Sequence, residues 1–198
     1  MAPRRTPEKA AATRESLIDA GLDVFSERGY SAAQLEEIAA RARVTRGALY
    51  HHFGNKAVLY LAVLAERWPI AMQPLWRTLE GSGPSRERVR AFVAGFLTAL
   101  ERDRTTRALL KLSMDADGSL PELRGGLRTK ARALEAWVDG LARAIATDHK
   151  PVAARQAAVA VVAFLQGVTL LSTLAPSLVS PARDAARLAA ACVDGALG

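Results

Sequence analysis

Nineteen consecutive residues, Ala157 to Ala175, carry no charge, and that run decides more about the fold than any other feature of the chain. It is about the shortest stretch that crosses hydrocarbon. Alanine is a weak lipid residue, however, and Gln166, Thr169, Ser172 and Thr173 add polar groups. A helix buried against other helices is therefore the better reading, and no membrane partner is expected. Aromatic residues make up only 6% of the chain while alanine and arginine are abundant, a balance that favours long helices over sheets. With 198 residues, half of them apolar, the chain can bury a real core. Length alone leaves both one compact domain and a helical pair of domains open.

The helical reading holds segment by segment and predicts an all-α protein of about nine helices. Glu15, Asp19, Asp23 and Glu27 recur every four residues and form one face, read as solvated. Leu17, Ile18, Gly21, Val24 and Phe25 fall on the other, and Gly29 is a plausible stop. Leu35, Ile38, Ala39 and Ala42 describe a short second helix, and Thr45 is a good N-cap for a third that runs to about Phe53. A fourth begins near Asn55 with Val58, Leu59, Ala62 and Val63 inward. Pro69 and Pro74 fall within its pattern, which predicts a kinked connecting helix. Gly81-Ser82-Gly83-Pro84 is a linker, followed by helices over about 85–101 and 105–114, a loop over 115–121, and a long helix over 122–147. Two more, about 152–173 and 181–196, close the chain around Pro176.

The formal charge is +7, but its distribution matters more than its size. Residues 1–56 hold nine Lys or Arg against seven Asp or Glu, whereas 41–56 hold Arg41, Arg43, Arg46 and Lys56 with no acid. Within that stretch lies VTRGALYHHFGNK. As a helix it turns Ala48, Leu49 and Phe53 inward and Arg46, Gly47, Tyr50 and His51 outward. Two short helices joined by a tight turn, the second basic and aromatic outside, make a helix-turn-helix whose second helix enters the major groove. There an arginine can pair with guanine. Gly47 leaves room for close approach, Tyr50 and His51 can donate to phosphates or bases, and Lys56 belongs at the phosphate backbone, where contacts position the protein without reading sequence.

Other chemistries find little support. His51 and His52 are adjacent, so they cannot share one helical face as metal ligands do at i and i+4, and no metal is expected. The rival readings are an enzyme that uses a helical cavity and a sequence-neutral architectural DNA binder, the latter expected to depend weakly on sequence. Neither a Ser/His/Asp set nor a phosphate-cradling glycine loop is present, so no enzyme activity and no cofactor are expected. Cys192 is the only cysteine. It excludes an intrachain disulfide, points to a reducing cytoplasm, and reads as a small core residue. Thr13, Arg14 and Glu15 interrupt what would be the apolar part of a signal peptide.

Phe25, Gly29, Tyr30, Ile38, Ala39, Val44, Leu49, Tyr50, His52, Phe53 and Lys56 together resemble the DNA-binding domain of the tetracycline-repressor (TetR) family of bacterial transcriptional regulators. The likeness covers about residues 13–64, roughly a quarter of the chain. It implies a homodimeric repressor that binds a palindromic double-stranded DNA operator and is released by a small apolar or aromatic effector. The domains would be 1–56 for DNA binding, with an arm over 1–12 and a recognition helix over about 45–53, and 57–198 for ligand and dimer. The DNA-facing set would be Thr45, Arg46, Gly47, Tyr50, His51, His52 and Lys56, and helices 152–173 and 181–196 would form the dimer interface. Two positions depart from the family. Ala33 stands where a hydroxyl residue is usual, leaving Ser31 or Gln34 to cap the second helix and touch phosphate. Arg43 stands at the usual glycine of the turn, where a left-handed backbone costs roughly 1–2 kcal/mol. Either the turn differs or Arg43 gains a phosphate contact that offsets the strain.

Candidate effector contacts are Trp68, Met72, Trp76, Phe92, Phe96, Met114, Trp137 and Phe164, large or adaptable side chains spread over the helices that would surround a cavity. Gln166 is a candidate polar anchor, and Asp115 or Asp117 could meet a cationic ligand. Each of these is individually more often core than contact.

Overall fold

The computed structural model describes residues 7–115 and 120–198. Residues 1–6 of the expected arm, Asp117 and the side chain of Asp115 lie outside the described residues. Nine α-helices and one 3-10 turn follow in order, with no strand among the described residues. Contacts divide them into two compact units. One takes in the described residues up to Trp68 together with Ala108–Arg128; the other holds Pro69–Arg107 and Thr129–Gly198.

The first unit begins with α1 (Pro7–Ala32), whose backbone leaves the helical region at Gly29, φ 74 and ψ 168. The expected stop is therefore a break with one further turn beyond it. α2 (Leu35–Arg41) and α3 (Arg46–Phe53) pack against each other and against α1. Leu17, Ile18, Val24 and Phe25 of α1 meet Ile38 and Leu49 in a core where all six are fully buried. α4 (Lys56–Leu79) persists as one helix across Pro69 and Pro74. Tyr60 of α4 is fully buried, edge-on to Phe25 at 4.8 Å and to Tyr30 at 5.1 Å between ring centroids. Its hydroxyl donates to the carbonyl of Leu112 at 2.7 Å. That carbonyl lies in the last turn of α6 (Arg104–Asp115), where helix carbonyls lack an intrahelical partner. Lys111 of α6 likewise donates to the Ser26 carbonyl at 2.6 Å, just ahead of the Gly29 break.

The acidic face of α1 is not simply solvated. Arg67, only 7% exposed, reaches Glu15 at 2.8 Å and donates through Nε to Asp19 at 2.9 Å. Arg41 chelates Glu27 at 2.9 and 3.0 Å. Glu15, Asp19 and Glu27 of the four-residue repeat thus serve as ion-pair acceptors holding α4 and α2 to α1. The unit also exceeds the 1–56 segment expected for DNA binding, because Tyr60, Lys111 and Leu112 draw part of α4 and α6 into its packing.

In the second unit, α5 (Ser85–Arg102) packs against α8 (Pro151–Leu174) and α9 (Ala185–Leu197), which also touch each other. Val89, Phe92, Val93, Phe96, Leu97 and Leu100 of α5 are all buried, as their spacing predicts. The first amide of α5, Ser85 N–H, donates to Asp148 at 2.9 Å. A 3-10 turn (Pro121–Leu123) and the first residues of α7 (Arg124–Ile145), up to Arg128, belong to the first unit and the rest of α7 to the second. On α7, Leu141 and Ile145 are fully buried, whereas Leu127 of the same expected seam stays 46% exposed. At Gly140 a β-carbon would lie 2.9 Å from the indole of Trp76, so a bare α-carbon is what lets α7 close on that ring. α9 starts at Ala185 rather than 181. Residues 181–183 form a turn instead, with the Ala182 amide drawn to the carboxylate of Glu101 at 2.8 Å. Burial holds the Cys192 thiol up at about 11, so it stays protonated at neutral pH and behaves as a small apolar residue.

The turn between α2 and α3 keeps the left-handed geometry. Arg43 has φ 55, its amide bonds to the Ala40 carbonyl at 3.0 Å, and the next amide, Val44, bonds to Ala39 at 3.0 Å. These two bonds close α2 in a Schellman motif. Arg43→Gly should therefore stabilise the protein by about 0.5–1 kcal/mol, since relief of the left-handed strain exceeds the added entropy of the unfolded chain. A urea midpoint that falls would show the turn to be unstrained. Tyr60→Phe keeps the ring but strips the Leu112 carbonyl of its donor. A loss of about 1–2 kcal/mol at unchanged m-value is expected, and an unmoved midpoint would show the hydroxyl to be idle.

Candidate nucleic-acid interface

The site is the outer surface of α3 and the turn before it. Thr45 caps the helix as its residue type predicts, its hydroxyl accepting from the Ala48 amide at 3.2 Å. Ala48, Leu49 and Phe53 are buried while Arg46, Gly47, Tyr50 and His51 are exposed, so the two faces divide as their spacing requires. A β-carbon on Gly47 would meet nothing nearer than the Thr45 hydroxyl at 4.0 Å, which leaves that side of the helix open. His52, placed with the DNA-facing set by resemblance, is half-buried beside Phe53, ring centroids 6.2 Å apart. Gln34 occupies the N-cap of α2, but its side chain makes no capping bond, so the missing hydroxyl at Ala33 is not replaced there.

Arg46 is held before any nucleic acid arrives. Its guanidinium lies over the Tyr50 ring, 5.3 Å from the centroid, with Nη2 donating to the hydroxyl at 3.3 Å and Nη1 at 3.0 Å from Glu36. The Tyr50 hydroxyl, and then Glu36, raise its affinity for the proton above the usual arginine value. Glu36 lies ten residues away on α2, and no periodicity in α3 announces it. Residue spacing shows which side chains share a helix face; it does not show which carboxylate a neighbouring helix contributes.

The stretch that lacks acids in sequence is therefore not acid-free in space. Glu36 meets Arg46, and Glu27 and Glu37 meet Arg41. Arg43, exposed on the turn, makes no ion pair among the described residues. Lys56 is engaged within the protein. Its ammonium donates to the carbonyls of Ser31 and Ala33, both at 3.1 Å, and sits 4.7 Å above the Tyr30 ring. It thereby fastens the start of α4 to the turn that precedes α2. Arg14 acts similarly, pairing through both terminal nitrogens with Glu66 while stacking over Phe53 at 5.1 Å.

The expected effector residues fall in both units. Trp76, Phe92, Phe96 and Trp137 meet in the second unit with ring centroids 5.0 to 6.1 Å apart. Phe92, Phe96 and Met72 are buried, while Trp76, Trp137, Phe164 and Gln166 are half-buried. Trp68 and Met114 belong to the first unit, where the Trp68 indole donates to the Ser113 hydroxyl at 2.9 Å. A groove of about 440 Å³ also opens in the first unit, lined by residues including Tyr30, Lys56, Leu61 and Glu122. None of the expected effector residues lines it.

The profile of bacterial regulatory proteins of the tetR family matches residues 17–63, the segment that carries this geometry. The transcriptional activator FasR of Mycolicibacterium smegmatis is 40% identical over 90 residues, a stretch that is 46% of this chain and only 41% of FasR. Solved structures extend the likeness. NalD, the secondary repressor of the MexAB-OprM multidrug efflux pump in Pseudomonas aeruginosa, is 28% identical with a TM-score of 0.74, covering 94% of this chain and 96% of NalD. SmeT of Stenotrophomonas maltophilia, solved with triclosan, is also 28% identical, with a TM-score of 0.67 over 91% of this chain and 90% of SmeT. The family profile falls on the helix-turn-helix, and neighbours of similar fold extend along the rest of the chain, so one assignment follows for the N-terminal part: residues 17–63 are a segment of the tetR family of bacterial regulatory proteins.

Proposed function

We propose that the protein is a sequence-specific DNA-binding transcriptional regulator, a homodimeric repressor that leaves a palindromic operator when a small apolar or aromatic ligand binds. The observation that carries this reading is the division of α3, with Leu49 and Phe53 locked in the core and Arg46, Gly47, Tyr50 and His51 left outward on a capped helix. Thr45, Arg43 and Lys56 supply phosphate contacts around that face, with Gln34 and His52 at its margins. FasR is an activator and NalD a repressor; the relatives are regulators, not enzymes. Helices 1–3 with the start of α4 make the DNA-binding domain of this reading, and the remainder binds ligand and partner.

Dimerisation is supported by α8. The helix buries Ala157, Ala158, Val161, Leu165 and Val168 on one side, yet Val159, Leu170, Leu171 and Leu174 remain 44% to 71% exposed on the other. By length and composition it is apolar enough to cross a membrane, but a helix with one face already packed on α5 and α9 needs a protein partner for the second. A two-fold pair of such faces closes on itself and explains the exposed leucines. Effector binding is assigned to the aromatic cluster of Trp76, Phe92, Phe96 and Trp137 in the second unit, with Met72, Phe164 and Gln166 as further candidates there. SmeT was solved with triclosan, and a ligand of aromatic character suits this set. α4 and α6 each contribute residues to both units, so a ligand that shifts either helix acts on the DNA-binding head through Tyr60 and Lys111.

Selection of bound sequences from genomic DNA, followed by a screen of metabolites for release, tests the reading as a whole. Weak dependence on sequence would favour an architectural binder instead. Lys56→Ala should weaken binding to every DNA sequence and flatten the salt slope by about one unit. The lost tether to Ser31 and Ala33 should also cost about 1–2 kcal/mol of stability. An unchanged salt slope would remove Lys56 from the phosphate contacts. At nanomolar concentration the protein should still size as a dimer by light scattering or cross-linking, and Leu171→Glu or Leu174→Glu should yield monomer; a monomeric wild type would overturn the interface.

A further inference from the structure

Glu36 stands in the first turn of α2 and Arg46 opens α3, so two short helices place a carboxylate and a guanidinium 3.0 Å apart on one exposed surface. Their side chains are 51% and 63% exposed, and a pair so open to water contributes little to stability. Stability thus gives no reason for an acid on a face that must approach phosphates. The chemistry of base edges gives one.

We infer that Glu36 and Arg46 form a two-sided reader of neighbouring cytosine and guanine bases, the guanidinium donating to guanine and the carboxylate accepting from the cytosine amino group. The inference rests on the reading of α3 as the helix that enters the major groove. Arg46 has five N–H donors; one faces Glu36 and one the Tyr50 hydroxyl, which leaves three for a base. The carboxylate of Glu36 has lone pairs beyond the one turned to Arg46. In the major groove guanine and thymine present acceptor oxygens, and adenine sets an acceptor nitrogen beside its amino group. Cytosine alone offers a donor with no acceptor next to it. A carboxylate is therefore met best by cytosine, repelled by guanine and thymine, and opposed at adenine by the acceptor nitrogen beside its amino group, which is selection by exclusion as much as by contact. Its pairing with Arg46 is what allows it near the phosphates, since the couple carries no net charge. Tyr50 completes the arrangement by holding the guanidinium from beneath, so that little side-chain freedom is lost on binding.

The test is selection from a random duplex library with the wild type, Arg46→Ala, Glu36→Ala and Glu36→Gln, each first checked for an unaltered melting curve. Glu36→Gln serves if the alanine variant is unfolded. The wild type should enrich a motif holding a guanine column, relaxed by Arg46→Ala, and a nearby cytosine column. Glu36→Ala should relax the cytosine column by about tenfold or more in relative affinity while raising affinity for random DNA. Glu36→Gln should move that column toward adenine, the base glutamine prefers. An unchanged motif in both Glu36 variants overturns the inference. So does relaxation confined to the guanine column, which would make Glu36 a prop for the arginine. A wild type that enriches nothing sinks the regulator reading itself and this inference with it, an outcome distinct from the other two.

Discussion

The first unit is organised by the ring of Tyr60. A tyrosine buried among apolar side chains is favourable only when its hydroxyl finds a partner, and here the partner is a carbonyl at the end of α6. One side chain thereby joins three parts of the chain, with its ring against Phe25 and Tyr30 and its oxygen on Leu112. α1 can present its apolar stripe to α2 and α3 because α4 closes the other side of that stripe. Gly21 shows how tight this closure is, since a β-carbon there would lie 3.1 Å from Val63. The head that carries α3 is thus completed by residues of α6 that follow it by roughly sixty positions in sequence, and its rigidity depends on α6 staying in place.

Ion pairs then fix what the core leaves adjustable. Arg67 is nearly buried against Glu15 and Asp19, whereas the carboxylates keep 57% and 64% of their exposure. Only one member of this cluster is desolvated, and it is an arginine with its donors satisfied, which limits the penalty of burial. Arg14 on Glu66 adds a second tie between the same two helices. Both hold α1 to α4 without drawing on Arg46, Gly47, Tyr50 or His51, so the outer face of α3 is left to bind.

What was legible in the residues was whatever a single helix encodes. The inward set Ala48, Leu49 and Phe53, the Thr45 cap, the core stripe of α5 and the apolar character of α8 follow from spacing, because a helix repeats its own geometry. The left-handed turn at Arg43 was legible as a question, and its backbone settles it. Contacts between helices were not legible. Glu36 beside Arg46, Lys56 on the carbonyls of Ser31 and Ala33, Arg67 across the acidic face of α1, and Tyr60 on Leu112 join residues separated by ten to fifty-two positions. No period marks such pairs. The start of α9 was missed for a related reason, since Pro181 reads as a first helical residue until Glu101 draws the following amide into a turn. The candidate effector residues were legible only as a group of large side chains, and which of their rings meet, as Trp76, Phe92, Phe96 and Trp137 do, was not.

These contacts change what the positive charge of the chain can do. A protein that displaced counterions with every arginine in 41–56 would hold random DNA tightly and lose contrast against a chosen site. Instead Arg41 is neutralised by Glu27 and Glu37, Arg46 by Glu36, and Lys56 commits two of its three donors to the protein's own backbone. Of these four cations only Arg43 and Lys56 are left without an ion pair among the described residues, and they are the groups the proposed function places at phosphate. Under the proposed function, discrimination would come from base edges read by Arg46, Tyr50 and their neighbours. An acidic residue in a DNA-facing surface lowers affinity everywhere, and it persists to advantage only if it lowers affinity for wrong sequences more than for the right one. Under the proposed function, the paired charges on α2 and α3 are a device for contrast rather than a contribution to folding.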